Sequence, residues 1–149
     1  MASLSAPAAT TAGVGPAPAV WRRVRGPAVL ALASLAASGV LAVRSPHVAG
    51  SYGFCPLLAV TGAYCPGCGA LRAVHDLLQG DLAGAWDMNP LLVVAVPVAL
   101  VLWVRWMWLA WRGRPVPLVS TRAAIGLGVV LALFAVARNL PALAPFLAP

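Results

Sequence analysis

Cys55-Pro56-Leu57-Leu58-Ala59-Val60-Thr61-Gly62-Ala63-Tyr64-Cys65-Pro66-Gly67-Cys68-Gly69-Ala70-Leu71-Arg72 contains every cysteine of the 149-residue chain. His75-Asp76, Gly80-Asp81 and Asn89-Pro90 follow it. The sequence on either side is almost entirely apolar helix former. The chain therefore reads as a membrane scaffold that carries one small polar segment.

Composition supports this. The chain is 62% hydrophobic and 9% charged, with a mean hydropathy of +0.92. A soluble domain carries about a quarter charged residues. One compact membrane-embedded unit is expected, with no second domain. The net charge of +7 comes from Arg alone, since the chain has no Lys. The Arg residues flank apolar runs and do not cluster with interleaved aromatics. That pattern belongs to the positive-inside rule and excludes nucleic acid as a partner. The expected partners are the lipid bilayer and another membrane protein.

Working outward, the fold class is an all-α integral membrane protein. It has three transmembrane helices and a Cys-rich amphipathic helical hairpin between the first and second. Residues 1–26 read as a disordered basic tail. Residues 27–43 are the first span, with Pro27 expected in its first turn. A cleaved signal peptide is the rival reading. The run lacks a small-residue cleavage site followed by polar sequence, so an uncleaved anchor is expected. Residues 89–111 are the second span, opened by Asn89 as N-cap and Pro90 as N1, with a kink expected at Pro97. Arg105 lies among Trp103, Trp106, Trp108 and Trp111, which read as an interfacial aromatic belt. Residues 112–122 form a loop. Residues 123–138 are the third span, whose Gly126 and Gly128 allow close helix approach. Residues 139–149, broken by Pro141 and Pro145, read as an interfacial tail.

Arg placement sets the expected orientation. Arg22, Arg23, Arg25, Arg112, Arg114 and Arg122 share one side. Arg44, Arg72 and Arg138 share the other with all three Asp. A cell-membrane location follows, with the amino terminus cytoplasmic and the cysteine segment and carboxy terminus outside.

Within residues 44–88, the apolar Leu71, Val74, Leu77 and Leu78 recur at helical spacing from Ala70 to Gln79. Arg72, His75, Asp76 and Gln79 fall on the opposite face. Gly80 is placed to end that helix and Asp81 to cap a second one. Cys65-Pro66-Gly67-Cys68 stands at the helix start, where the dipole and Arg72 favour a thiolate. Asp76, four residues on, is placed to orient Arg72.

Three chemistries remain open. The first is a structural Cys-x-x-Cys element in a non-enzymatic membrane subunit or scaffold, favoured because no complete catalytic set is present. The second is a thiol–disulfide oxidoreductase, with Cys65 and Cys68 as the redox pair and Arg72 as activator. The third is zinc bound by Cys55, Cys65, Cys68 and His75. Seven helical residues would hold Cys68 and His75 about 10 Å apart. Zinc therefore requires Cys68 to lie ahead of the helix, or His47 to replace His75.

A family resemblance rests on the same residues. Cys55-Pro56, Thr61-Gly62, Cys65-Pro66-Gly67-Cys68-Gly69, Arg72-Ala73, Gly80-Asp81-Leu82, Ala85 and Asn89-Pro90 resemble the bacterial membrane family catalogued as domain of unknown function 2752 (DUF2752). The resemblance runs from about Cys55 to Pro97. It implies an integral membrane protein with the Cys–Arg segment as signature, and it brings no established activity.

Overall fold

The computed structural model describes residues 20–48, 50–52, 55–117 and 119–149. Most of the tail expected to be disordered, and Phe54, lie outside these residues. The described chain is helical, with no strand. The helices are α1 (Val20–Val43), α2 (Pro56–Thr61), α3 (Ala70–Gln79), α4 (Leu82–Met88), α5 (Pro90–Arg112), α6 (Thr121–Asn139) and α7 (Ala144–Leu147).

Three of these, α1, α5 and α6, are long and apolar enough to cross a membrane. Their 24, 23 and 19 residues reach about 36, 34 and 28 Å at 1.5 Å per residue, against a bilayer core of roughly 30 Å. Their outward surfaces carry exposed Leu, Val and Ile throughout. In helices whose backbone groups are satisfied internally, such surfaces suit hydrocarbon.

The helix α1 starts at Val20, ahead of the apolar run, so Arg22, Arg23 and Arg25 are helical. Pro27 is accordingly inside the helix, not in its first turn. Its carbonyl accepts the Trp103 indole N–H at 3.0 Å, which fastens α1 to α5. That bond gives Trp103 an internal partner beyond the aromatic belt. At the same end, the Arg23 side chain lies against Gly113, the C-cap of α5. A cation there complements the helix dipole.

At the other end of the α1–α5 pair sits the hairpin. The helix α3 packs against α1 and α4, and α4 leads into α5. Local chemistry fixes the turns. Gly80 ends α3 at φ 81°, with its N–H bonded to the carbonyls of Asp76 and Leu77. The Asp81 carboxylate accepts the Gly84 N–H at 2.8 Å, and Asn89 Oδ1 accepts that of Leu92 at 3.0 Å.

The polar face of α3 turns inward. His75 Nδ1 donates to the Leu41 carbonyl at 2.6 Å and Gln79 Nε2 to that of Ala42 at 3.2 Å. Tyr52 Oη donates to the Arg44 carbonyl at 2.9 Å. The last carbonyls of a helix lack internal donors; His75 and Gln79 supply them for α1, and Tyr52 does so for Arg44, the residue just beyond it. Leu71 and Leu78 are left facing outward.

The third span stands apart. The chief helix neighbour of α6 is α7, and neither α1 nor α5 packs along its length. Gly126 and Gly128 have open space where a Cβ would point, so the close helix approach expected there is not made. What α6 does hold is the cysteine segment, through its last two residues.

Candidate metal centre

Cys55 reaches the site from the start of α2, where Pro56 occupies the first helical position. Cys65 and Cys68 bracket a tight turn in which the Cys68 N–H bonds to the Cys65 carbonyl at 3.1 Å. The Cys65 N–H in turn points at Cys68 Sγ, at 3.2 Å. Gly69 follows at φ 77° and caps α3, so Cys68 lies ahead of that helix, not within it. The three side chains are free thiols. Cys65 Sγ stands 3.5 Å from Cys55 Sγ and 2.9 Å from Cys68 Sγ, and all three sulfurs lie within 4.8 Å of one another.

The Cys55–Cys65 spacing approaches that of two ligands on one ion, and the Cys65–Cys68 spacing is shorter. Thiolates bound to zinc at about 2.3 Å in tetrahedral geometry stand about 3.8 Å from each other. A multinuclear cluster spreads its thiolates over several metal atoms and holds them wider.

The turn is held by a residue distant in sequence. Arg138, from the last turn of α6, is completely buried. Its Nη1 donates to the carbonyls of Cys65 and Cys68, both at 3.0 Å, and more weakly to that of Pro66 at 3.4 Å. Its Nη2 reaches the Met88 carbonyl at 3.4 Å. The guanidinium stacks over the Phe134 ring, 5.0 Å from its centroid. No carboxylate pairs with it among the described residues. Asn139 exchanges two hydrogen bonds with the Tyr64 backbone, each 2.9 Å. From the opposite side, the buried Asn89 donates to the carbonyls of Pro66 and Cys68 at 3.0 and 3.2 Å.

The three thiols are not equivalent. Cys55 is lowered to about 7. The N–H groups of the first turn of α2 favour its thiolate, that of Leu58 foremost, although none forms a formal side-chain cap. The neighbouring Cys68 and Cys65 thiols add to the effect. Burial pushes Cys68 up to about 12, with the Cys65 and Cys55 thiols adding to the rise. Of the Cys65–Cys68 pair, where thiolate character was expected, Cys68 is thus held as the thiol, and it is Cys55 that is lowered.

The remaining expected site residues are elsewhere. His75 is engaged with α1 and is not among the ligand atoms brought together. His47 Nε2 meets Asp76 Oδ1 at 2.7 Å. Like His75, it is not among the ligand atoms brought together, and Asp76 meets His47, not Arg72. Arg72 Nε makes one long bond, 3.4 Å, to the Pro46 carbonyl. Of the four residues expected to hold zinc, the structure assembles the three cysteines.

Comparison with known proteins fits this geography. Residues 55–103 match the family model described as "Protein of unknown function (DUF2752)". The matched segment opens on Cys55, spans the whole cysteine site and the hairpin, and ends inside α5. No curated protein and no solved structure matches the chain.

Arg138 and Asn139 lie beyond the matched segment, and their role is not evident from the sequence. Arg138 looked like one more topological Arg at the end of a span. Its one local signal is position: a lone Arg at the end of an apolar helix, followed by Asn, on the side that carries the cysteines.

Proposed function

We propose that the protein is a small, non-enzymatic multi-pass membrane module whose cysteine segment binds one thiophilic divalent ion, zinc by preference. The carrying observation is the convergence of three free thiols within 4.8 Å above a buried, acid-free arginine. Buried charges are paired or coordinated. Three thiolates around a divalent ion keep one net negative charge, and the charge of Arg138 balances it. Soft sulfur donors select zinc over magnesium or calcium. The bound ion would tie α2 to the Cys65–Cys68 turn, and that turn is already tied to α4, α5 and α6.

The test is metal content of the detergent-purified protein. One zinc per chain is expected, and it should be lost when Cys55, Cys65 or Cys68 is changed to Ser. Metal-free protein with three reactive thiols, or with a fixed disulfide, would overturn the reading.

A thiol–disulfide function is the second reading, supported by the 2.9 Å approach of Cys65 and Cys68. One thiolate of the pair would attack a substrate disulfide and form a mixed disulfide. The other would displace the substrate, which leaves as a dithiol while the pair becomes a disulfide. Intact mass would show the chain lighter by two hydrogens after reaction. Retained zinc and an unchanged mass would exclude it.

Arg placement supports an orientation with the amino terminus cytoplasmic and the metal site on the outer face. Arg22, Arg23, Arg25, Arg112, Arg114 and Arg122 flank the α1 start, the α5 end and the α6 start. Arg44, Arg72 and Arg138 flank the other end.

A further inference from the structure

Beside the three sulfurs lies a cavity of about 500 Å³, open to the outside. Cys55, Cys65 and Cys68 all line it, together with Tyr52, Tyr64 and Arg72. Its volume falls in the range of small-molecule sites. Three protein ligands with an accessible fourth position also distinguish metal sites that take an exogenous ligand from closed structural ones.

The charges around the cavity favour one class of occupant. No Asp lines it. The acid nearest Arg72 in sequence, Asp76, is occupied by His47 at 2.7 Å. The Arg72 hydrogen bond to Pro46 uses Nε alone, so neither terminal nitrogen is bonded among the described residues. Arg138 already balances the residual charge of a three-thiolate divalent site. A fourth, anionic sulfur adds one negative charge and an acidic group on the same ligand adds another; Arg72, which faces the space, is placed to pair with that acidic group.

From this we infer that the site takes an exogenous anionic thiol, whose sulfur fills the fourth position on the ion while its acidic group lies against Arg72. The inference rests on the metal reading above. A thiolate is the donor that an ion held by three soft sulfurs prefers. On binding, the thiol would give its proton to solvent and its sulfur would join the three cysteine sulfurs as a ligand, with no change of oxidation state. A planar guanidinium suits the fork of a carboxylate or sulfonate.

The test uses full-length protein in detergent, reconstituted with Co²⁺ as a spectroscopic stand-in for zinc. The probes are 2-mercaptoethanesulfonate and the neutral 2-mercaptoethanol. Both should move the cobalt bands toward a four-thiolate pattern, the anionic thiol with about tenfold lower Kd. Raised salt should erode that preference, because the acid–arginine contact is solvent-accessible. The Arg72→Gln variant should keep Co²⁺ uptake and bind both thiols equally. Cobalt bands that respond to neither thiol would overturn the inference and leave the metal site standing. Equal binding of the two thiols by the unaltered protein would overturn it as well. Failure to take up Co²⁺ at all would overturn the metal reading beneath it.

Discussion

Arg138 spends its guanidinium on backbone carbonyls, so its loss exposes a specific debt. The carbonyls of Cys65, Pro66, Cys68 and Met88 would each lose a donor inside the protein. Hydrogen bonds to a charged group are worth about 1.5–3 kcal/mol each, and unmet buried partners are costly. Arg138→Met should therefore lower stability by about 3 kcal/mol or more and release the metal. Arg138→Lys should recover only part, because an ammonium cannot present a planar fork to several acceptors. Thermal unfolding in detergent, read beside metal content, checks both variants. The thiols offer a second prediction. A group held below its ordinary value is ionised once pH passes the lower value. In chelator-treated protein, Cys55 alkylation should thus climb as pH rises through about 7 and then level off. Cys68 should stay slow well above that, since it keeps its proton to about 12. Mass-mapped iodoacetamide labelling across pH decides the order. Labelling of Cys68 ahead of Cys55 would contradict it.

At the scale of elements, what the sequence shows depends on how far a cause reaches along the chain. The Gly80 stop, the Asp81 cap and the Asn89–Pro90 start were legible because each acts within four residues. The helical period of α3 was legible for the same reason. The direction in which α3 faces was not. Periodicity separates two faces without saying which is covered, and here the bare carbonyls of α1 claim the polar one. The three-cysteine cluster was half legible: the ligand types were evident, but only the fold could show that His75 is committed elsewhere. The glycines allow a controlled comparison. Gly69 adopts φ 77°, and a Cβ there would collide with the Met88 carbonyl oxygen. Gly69→Ala should cost about 2 kcal/mol or more and weaken metal binding. Gly126→Ala and Gly128→Ala meet open space. They should be neutral or stabilise α6 by up to about 1 kcal/mol. Equal losses from all three would show that α6 packs closely against something along its length.

For the whole molecule, the three spans were readable from composition and length. The grip of α6 on the cysteine turn was not, because 70 or more residues separate Arg138 and Asn139 from the backbone of that turn. The orientation gives a prediction at this scale. A membrane-impermeant maleimide on intact cells should label the cysteines from outside, and only after a chelator has removed the metal. Labelling that requires broken cells would place the site on the cytoplasmic face.

The attachment of α6 has a mechanical meaning. In a beam clamped at one end, load along the span appears as torque at the clamp. Here the span lies in lipid, without α1 or α5 beside it, and the clamp is the Arg138–Asn139 grip on the backbone of the cysteine turn. A change in bilayer thickness or lateral pressure that tilts α6 therefore bears first on the spacing of three sulfur atoms. If the cysteines hold an ion as proposed, membrane tension and metal affinity become two readings of one displacement.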